Sequence, residues 1–544
     1  MKGVFKNKRF DYLLAFILIF LVFLSYKQFL LFCTPSGTEA ERMLGYYLFA
    51  KKVILQYYSF PHFALGFTEF RYTYGRYITY EFFSFPETPL LTPFLLIYIL
   101  VDIITAEKIS LALHIVIGII GIFLIGKNLG INKIGTILTA ILFSHSVNLV
   151  SMYACGHINW KTIFLFPLVF YFYIKSHQNQ KFILFSVIIN LLILFEGGIH
   201  IFIWTNLFIG VFGIFYFFES MVINRLFTML KFFLFEVLLG SVKIIPMIHF
   251  FGGYKPPENV IDIRAGIAPP YTIKEFLKAL TTPFWGAEYS NYIGIFVIIL
   301  FFFALFIGLK LNRPILFTSL FFTLLTVKFN GISLFYLLRK FPIFDTQRIP
   351  PRFFVMAIFG FGLLCGLVIT HLQQRIKKLG KRRAILFEVF LIIFISYIYL
   401  DLNRAFNLFQ KKCNPLEISE DPIFFNYIPR IIPNGYCALG FADPNFRVWK
   451  LNLKENSYAV FDGLDWKLYR NILKFQIFRN GRFEKIQSQP YNGTVSLPIP
   501  KDATILRMKY DSPYFKLGLA ISLISSILIF LAYNFFNSFH KNRK

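Results

Sequence analysis

Glu39 stands in the run Thr34-Pro35-Ser36-Gly37-Thr38-Glu39-Ala40-Glu41-Arg42, directly after the first long apolar stretch. A carboxylate held just above a hydrocarbon layer, beside a glycine turn, can take a proton from a substrate hydroxyl. It can also serve a divalent metal, although no full ligand set stands out. The same run equally suits a helix start, with Ser36 or Thr38 as the cap and Glu39 and Glu41 in a first turn favoured by the macrodipole. His157 follows Gly156 in the segment Tyr153-Ala154-Cys155-Gly156-His157-Ile158-Asn159-Trp160. An imidazole there can orient a hydroxyl or pass a proton, and a passive hydrogen bond is the plainer role. His200 lies four residues after Glu196, across Gly197 and Gly198. That spacing serves either a site or a tight hairpin. Arg348 and Arg352 lie in Gln347-Arg348-Ile349-Pro350-Pro351-Arg352-Phe353, and guanidinium groups fork onto phosphate or carboxylate. Arg71 and Arg76, set among Tyr and Phe, could hold a phosphate or simply extend to an interface.

These residues must be positioned by apolar elements. Of the 544 residues, 56% are hydrophobic, more than a soluble domain of this size needs to dry its core. The net charge is +28. The cations form no single patch, which argues against a nucleic-acid partner. They sit in every second gap between apolar stretches: Lys2 to Arg9, Lys127 and Lys133, Lys175 and Lys181, Arg225 and Lys231, Lys310 and Arg313, Arg375 to Arg383, and His540 to Lys544. This is the positive-inside pattern of a multi-pass protein of the cell membrane, with both termini cytoplasmic. The remaining gaps, which hold the candidate residues, then face outside. Spans are expected at 11–32, 109–126, 132–150, 161–174, 182–196, 200–219, 226–247, 291–309, 314–330, 353–371, 384–401 and 514–535. The apolar stretch 88–106 is expected to lie in the interface. Were it to cross, the cluster Arg375–Arg383 would fall outside.

The expected fold class is mainly α: a polytopic helical bundle of about twelve spans, with an interfacial helix in the first outer loop and a small extracytoplasmic β-rich domain near the C-terminus. Residues 1–401 form the membrane domain, including the outer loop 33–108. Residues 402–513 form the β-rich domain, and 514–544 the final span and a basic tail. The strand signals are YAVFDG, ILKFQIF, GTVSLPI and ATILRMKY, each bounded by turn residues. Cys413 and Cys437 share that domain, where a disulfide and two free thiols are both open. Within the spans, Glu236 reads as the one deep carboxylate, a functional candidate or a partner for Lys243. No GxSxG, HExxH, P-loop or dinucleotide fingerprint has a supporting context.

The order of features resembles the GT-C class of polytopic glycosyltransferases, and more closely the bacterial YfhO-like membrane proteins. The likeness rests on Pro35-Ser36-Gly37-Thr38-Glu39, Gly156-His157, the segment from Phe341 through Arg348 and Pro351-Arg352-Phe353, and a tail with Val495-Ser496-Leu497-Pro498 and Lys509-Tyr510-Asp511-Ser512-Pro513. The family pattern usually has Asp where Glu39 stands. The resemblance implies transfer of a sugar from a polyprenyl-phosphate-linked donor to a glycan, lipid or protein acceptor at the outer face of the bilayer. Glu39 would be the base, Arg348 and Arg352 would hold the donor phosphate, and His157 and His200 would position hydroxyls. A transporter or flippase for a lipid-linked saccharide would instead show an internal repeat and ionisable residues along span interiors. A non-catalytic envelope protein would not need so many polar residues at span mouths.

Overall fold

A computed structural model describes residues 8–32, 38–58, 63–67, 78–81, 83–89, 91–253, 269–283, 289–341, 343–344, 347–410, 429–433, 435–443 and 446–541. The chain is mainly helical, with a β-rich region near its C-terminus. Among the described residues, seven helices are long and apolar enough to cross a membrane: Ile103–Leu129, Lys133–Ala154, Ile199–Ser220, Ile223–His249, Pro350–Lys378, Lys381–Leu408 and Pro513–Ala532. Four apolar helices are shorter, at Ala15–Leu31, Phe182–Phe195, Ile295–Leu311 and Arg313–Thr326. The expected span at 161–174 is built differently. A 3₁₀ run, Ile158–Leu165, leads into the α-helix Phe166–Ser176. The steeper rise of 3₁₀ geometry stretches the pair to about 32 Å, close to the thickness of a hydrocarbon core.

Within 88–106, helix is confined to Leu95–Leu100 and to the residues from Ile103 onward. The six-residue helix is about 9 Å long, far short of a crossing. The chain turns at Val101, which adopts an extended conformation. The gap therefore precedes Ile103, and Glu107 lies inside the next helix, fully buried. Glu236 is thus not the one carboxylate buried within a long apolar helix.

Contacts gather the chain into two compact units. One comprises 1–40, 104–234 and 258–417; the other comprises 41–103, 235–257 and 418–544. In the first, residues 354–370 of the helix Phe354–Lys378 are almost wholly enclosed, and its last two turns are largely exposed. Small residues let its neighbour Lys133–Ser144 approach closely: a Cβ on Gly135 would stand 2.5 Å from the Gly366 carbonyl, and Thr139 Oγ1 donates to the Gly362 carbonyl at 2.8 Å. Edge-to-face rings of Phe143, Phe166, Phe170, Phe208 and Phe359 fill the centre.

The loops of this unit are tied in two sets. In one, Asn132 N donates to Thr370 Oγ1 at 2.9 Å, Gln180 donates to Thr228 at 3.0 Å, and Lys377 pairs with Glu388 at 3.2 Å. This set belongs to the basic gaps. In the other, Asn159 donates to the Gly197 carbonyl at 3.0 Å and Asn291 to the Pro351 carbonyl at 3.2 Å. Because the helices between them run up and down, the second set lies at the end of the bundle opposite the basic loops.

In the second unit, residues 41–57 of the first-loop helix Thr38–Tyr57 are anchored by an Arg42–Glu87 ion pair at 2.8 Å. Tyr47 stacks on Tyr98 at 3.7 Å. The last helix, Pro513–Lys541, lies against the helix Ile223–Gly253: Ser522 Oγ donates to the Leu239 carbonyl and accepts from Val242 N, both at 2.9 Å. A two-stranded sheet pairs β1 (Phe63–Phe67) with β2 (Ile78–Glu81). The C-terminal strands are β3 Arg430–Ile432, β4 Gly435–Asp443, β5 Phe446–Leu453, β6 Ser457–Asp465, β7 Leu473–Arg479, β8 Arg482–Ile486, β9 Gln489–Tyr491, β10 Thr494–Ile499 and β11 Ile505–Tyr510. They form two antiparallel sheets, β3-β6-β10-β9 and β4-β5-β11-β7-β8. Trp449, Phe475, Ile477, Leu506 and Met508 of one sheet share a core with Phe461, Val495 and Leu497 of the other.

Cys413 lies outside the described residues, and with it the question of its pairing. Cys437 is a free thiol in the sandwich core, where burial pushes its pKa up to about 12. At pH 8 the thiol therefore stays protonated, and the thiolate is the reactive form. A variant retaining only Cys437 should resist iodoacetamide when folded and react fully after denaturation. Rapid alkylation of the folded chain would contradict this packing.

Candidate functional site

Gly156 has φ +96°, a conformation open to glycine, and a Cβ there would stand 2.8 Å from the Ala40 nitrogen. Ala40 therefore presses on the Gly156 turn. Glu39 and His157, each half-buried, are both one residue from that approach. The neighbouring turn, Gly197 with φ +82°, accepts the Asn159 hydrogen bond and leads into His200.

Arg352 sits in a 3₁₀ turn, Pro350–Phe353, whose two prolines preset φ. Its guanidinium lies 5.6 Å from the centre of the Trp160 ring. Trp160 meets Trp204 edge-on at 5.2 Å. Trp204 Nε1 donates to Gln347 Oε1 at 3.1 Å, and the Gln347 amide nitrogen lies 3.1 Å from His200 Nδ1. An indole N–H can only donate, so the Gln347 oxygen is the acceptor and its amide nitrogen must be the donor. His200 Nδ1 therefore accepts, which puts the ring proton on Nε2. Arg352, His157 and Arg348 all lie within electrostatic range of this ring. Arg348 is exposed and Arg352 half-buried. The bundle thus brings His157, His200, Arg348 and Arg352 together, with Glu39 beside the His157 turn. Arg71 and Arg76 lie outside the described residues. Glu236 is buried in its helix, and Lys243 donates to the Thr88 carbonyl at 2.6 Å.

A second group of ionisable residues lies buried in the same unit, and reading the sequence missed it. Lys161 Nζ is 2.5 Å from Glu107 Oε2 and 3.7 Å from Glu196 Oε1. Tyr153 donates to Glu107 Oε1 at 2.8 Å, and Ser110 to Glu196 Oε1 at 3.4 Å. His114 bridges the Ser110 carbonyl, 2.7 Å from Nδ1, and Glu196 Oε2, 3.1 Å from Nε2. A carbonyl only accepts, so Nδ1 carries a proton. The contact to Glu196 then needs a second proton, on Nε2 or on the carboxyl. With that proton counted, these four described residues, two carboxylates, one ammonium and one imidazole, sum to zero, which favours their burial together. The signal in the sequence was His114, an ionisable residue deep in an apolar run. Glu196 is drawn into this group while His200 turns to Gln347, so the Glu-Gly-Gly-Ile-His run serves two clusters.

Among the described residues no group of three or more His, Cys, Asp or Glu could hold a metal ion. No family model matches the sequence, and no curated protein matches it either.

Removing the ammonium tests the buried group. Lys161→Met leaves carboxylates without their counter-charge and should cost about 3–5 kcal/mol of stability. Adding Glu107→Gln should recover part of the loss, read as thermal midpoints in detergent. Equal midpoints for wild type and Lys161→Met would remove the ion pair from the structural account.

Proposed function

We propose that the protein is an integral membrane glycosyltransferase of GT-C type. It moves a sugar from a polyprenyl-phosphate-linked donor to a glycan, lipid or protein acceptor on the extracytoplasmic face. The observation that carries this reading is the meeting of His157, His200, Arg348 and Arg352, with Glu39 alongside, at the bundle end opposite the basic loops. Twelve crossings follow in this reading: the seven long helices, the helix that opens at Lys8, the 158–176 segment and three shorter apolar helices. Both termini are then cytoplasmic, by the charge rule.

Glu39 takes the proton of the acceptor hydroxyl as its oxygen bonds to the anomeric carbon. The bond from that carbon to the donor phosphate breaks, and the polyprenyl phosphate leaves with the electron pair. Arg348 and Arg352 meet the growing charge on the phosphate oxygens. His200, whose Nε2 carries the ring proton because Nδ1 accepts from Gln347, donates to a sugar oxygen in this reading, with His157 beside it. No step requires a nucleic acid or a metal. Membranes bearing Glu39→Gln should transfer sugar at least about 100-fold more slowly than wild type. Equal rates would remove Glu39 from the mechanism.

The buried Glu107–Lys161–Glu196–His114 group favours a second reading, a transporter or flippase for a lipid-linked saccharide, because ionisable groups inside a bundle often mark a path. Solubilised protein separates the two. A transferase keeps its activity in detergent, whereas a flippase shows activity only across sealed vesicles.

A further inference from the structure

The outer face of the five-stranded sheet carries cations in register. Lys474 on β7 and Lys509 on β11 are direct cross-strand partners. Like charges directly opposite each other destabilise a sheet. One residue pair along, on the same face, Arg507 opposes Gln476, which in turn opposes Lys485 on β8. Lys450 on β5 opposes Ile505. Lys450, Lys474, Lys485 and Lys509 are exposed. The Arg507 guanidinium lies 3.4 Å over the Phe483 ring, which holds it flat against the face. On β5, β7, β8 and β11 this face carries no carboxylate. Glu484 is in register with buried Ile477, so it points to the opposite side, where Arg479 and Arg482 bind it at 2.6 and 3.0 Å. The nearest acidic register position is Asp443, at the end of the edge strand β4.

The place of this face in the chain supplies the second observation. β11 ends at Tyr510, and the last helix begins at Pro513. Asp511 N donates to the Ile472 carbonyl at 2.8 Å, which closes the β7–β11 pair at its Lys474–Lys509 end. Tyr514, in the first turn of that helix, packs on the sandwich core, and Lys516 pairs with Asp511. The opposed lysines therefore stand within a few residues of the point where the chain enters its final apolar helix.

We propose that this sheet face seats the sandwich on anionic lipid headgroups of the leaflet that the last helix enters. Lipid phosphates would bridge the opposed lysines and offset their repulsion. Among its described residues the face carries one large exposed apolar side chain, Tyr436 on β4, opposite Asn452. Its exposed charged groups on β5, β7, β8 and β11 are cations, so the contact is mainly electrostatic and weakens with salt. The proposal needs no transfer chemistry and stands apart from the catalytic reading.

The test uses the full chain in nanodiscs of phosphatidylcholine alone or with phosphatidylglycerol. A donor fluorophore on Asn452→Cys, with the native cysteines replaced, reports energy transfer to headgroup-labelled lipid. Phosphatidylglycerol should increase the transfer, and salt should reverse the increase. Lys474→Gln or Lys509→Gln alone should weaken seating about fivefold, and the double variant about thirtyfold. In uncharged nanodiscs the double variant should melt no lower than wild type, because the opposed charges are gone. Transfer insensitive to lipid charge, or an unchanged response in the double variant, would overturn the proposal. So would a face that ignores lipid composition but binds inorganic polyphosphate through the same lysines. A lower melting point would refute the reading of the lysines as a repelling pair.

Discussion

Lys161 carries its ammonium into a space closed to water, between Glu107 and Glu196. Each of these three residues belongs to a different apolar segment. Glu107 lies in the second turn of Ile103–Leu129, Lys161 in the 3₁₀ run, and Glu196 at the end of Phe182–Phe195. Taking a charge out of water is tolerable only beside its partner. The set therefore fixes how far these three segments can slide past one another. The His157 turn lies four residues before Lys161, and His200 lies four residues after Glu196. The positions of both imidazoles follow from where the charges meet.

The guanidinium side is held by a different device. Aromatic faces and single-role hydrogen bonds link Arg352 to Trp160, Trp160 to Trp204, Trp204 to Gln347 and Gln347 to His200. Each link joins residues from separate elements, so no ring in the chain can rotate without losing its neighbour. The indole can only donate, and that one-way constraint passes through the amide to choose the His200 tautomer. An ionic strut and an aromatic ladder thus converge on one end of the bundle, and the glycine at 156 leaves room there for Ala40, the residue after Glu39.

Much of this was legible because polar residues among apolar runs are conspicuous. His157, His200, Arg348 and Arg352 stood out as polar groups in gaps that lacked the basic bias, and the structure gathers them. Four strand signals, in β6, β7, β10 and β11, came from period-two alternation bounded by turns. The buried ion cluster was hidden by one boundary. Glu107-Lys108 looked like a polar gap, whereas the chain turns earlier, at Val101, and Glu107 is absorbed into a helix. Lys161 was hidden by the same habit of placing cations at span ends. Burial of a charge depends on partners brought from elsewhere in the chain, and local composition carries no record of them. Strands β4 and β5 were passed over although FRVWKLNL alternates, since its cations masked the pattern.

The buried cluster also bears on which activity the bundle serves. A proton or ion path needs groups that can let go of one partner and take another. Here Glu107 spends one oxygen on Tyr153 and the other on Lys161. Glu196 meets Ser110 and Lys161 through one oxygen and His114 through the other. His114 spends its remaining nitrogen on the Ser110 carbonyl. Each carboxylate oxygen and both imidazole nitrogens are engaged, and among these four described residues the charges cancel once the shared proton is counted. A network saturated in this way gains from staying closed, and opening any link exposes a charge to a medium that cannot solvate it. It behaves as a strut. At the bundle end, by contrast, Arg348 is exposed. In the proposed transferase reading the buried set therefore holds the segments in place, and the chemistry is assigned to the bundle end instead.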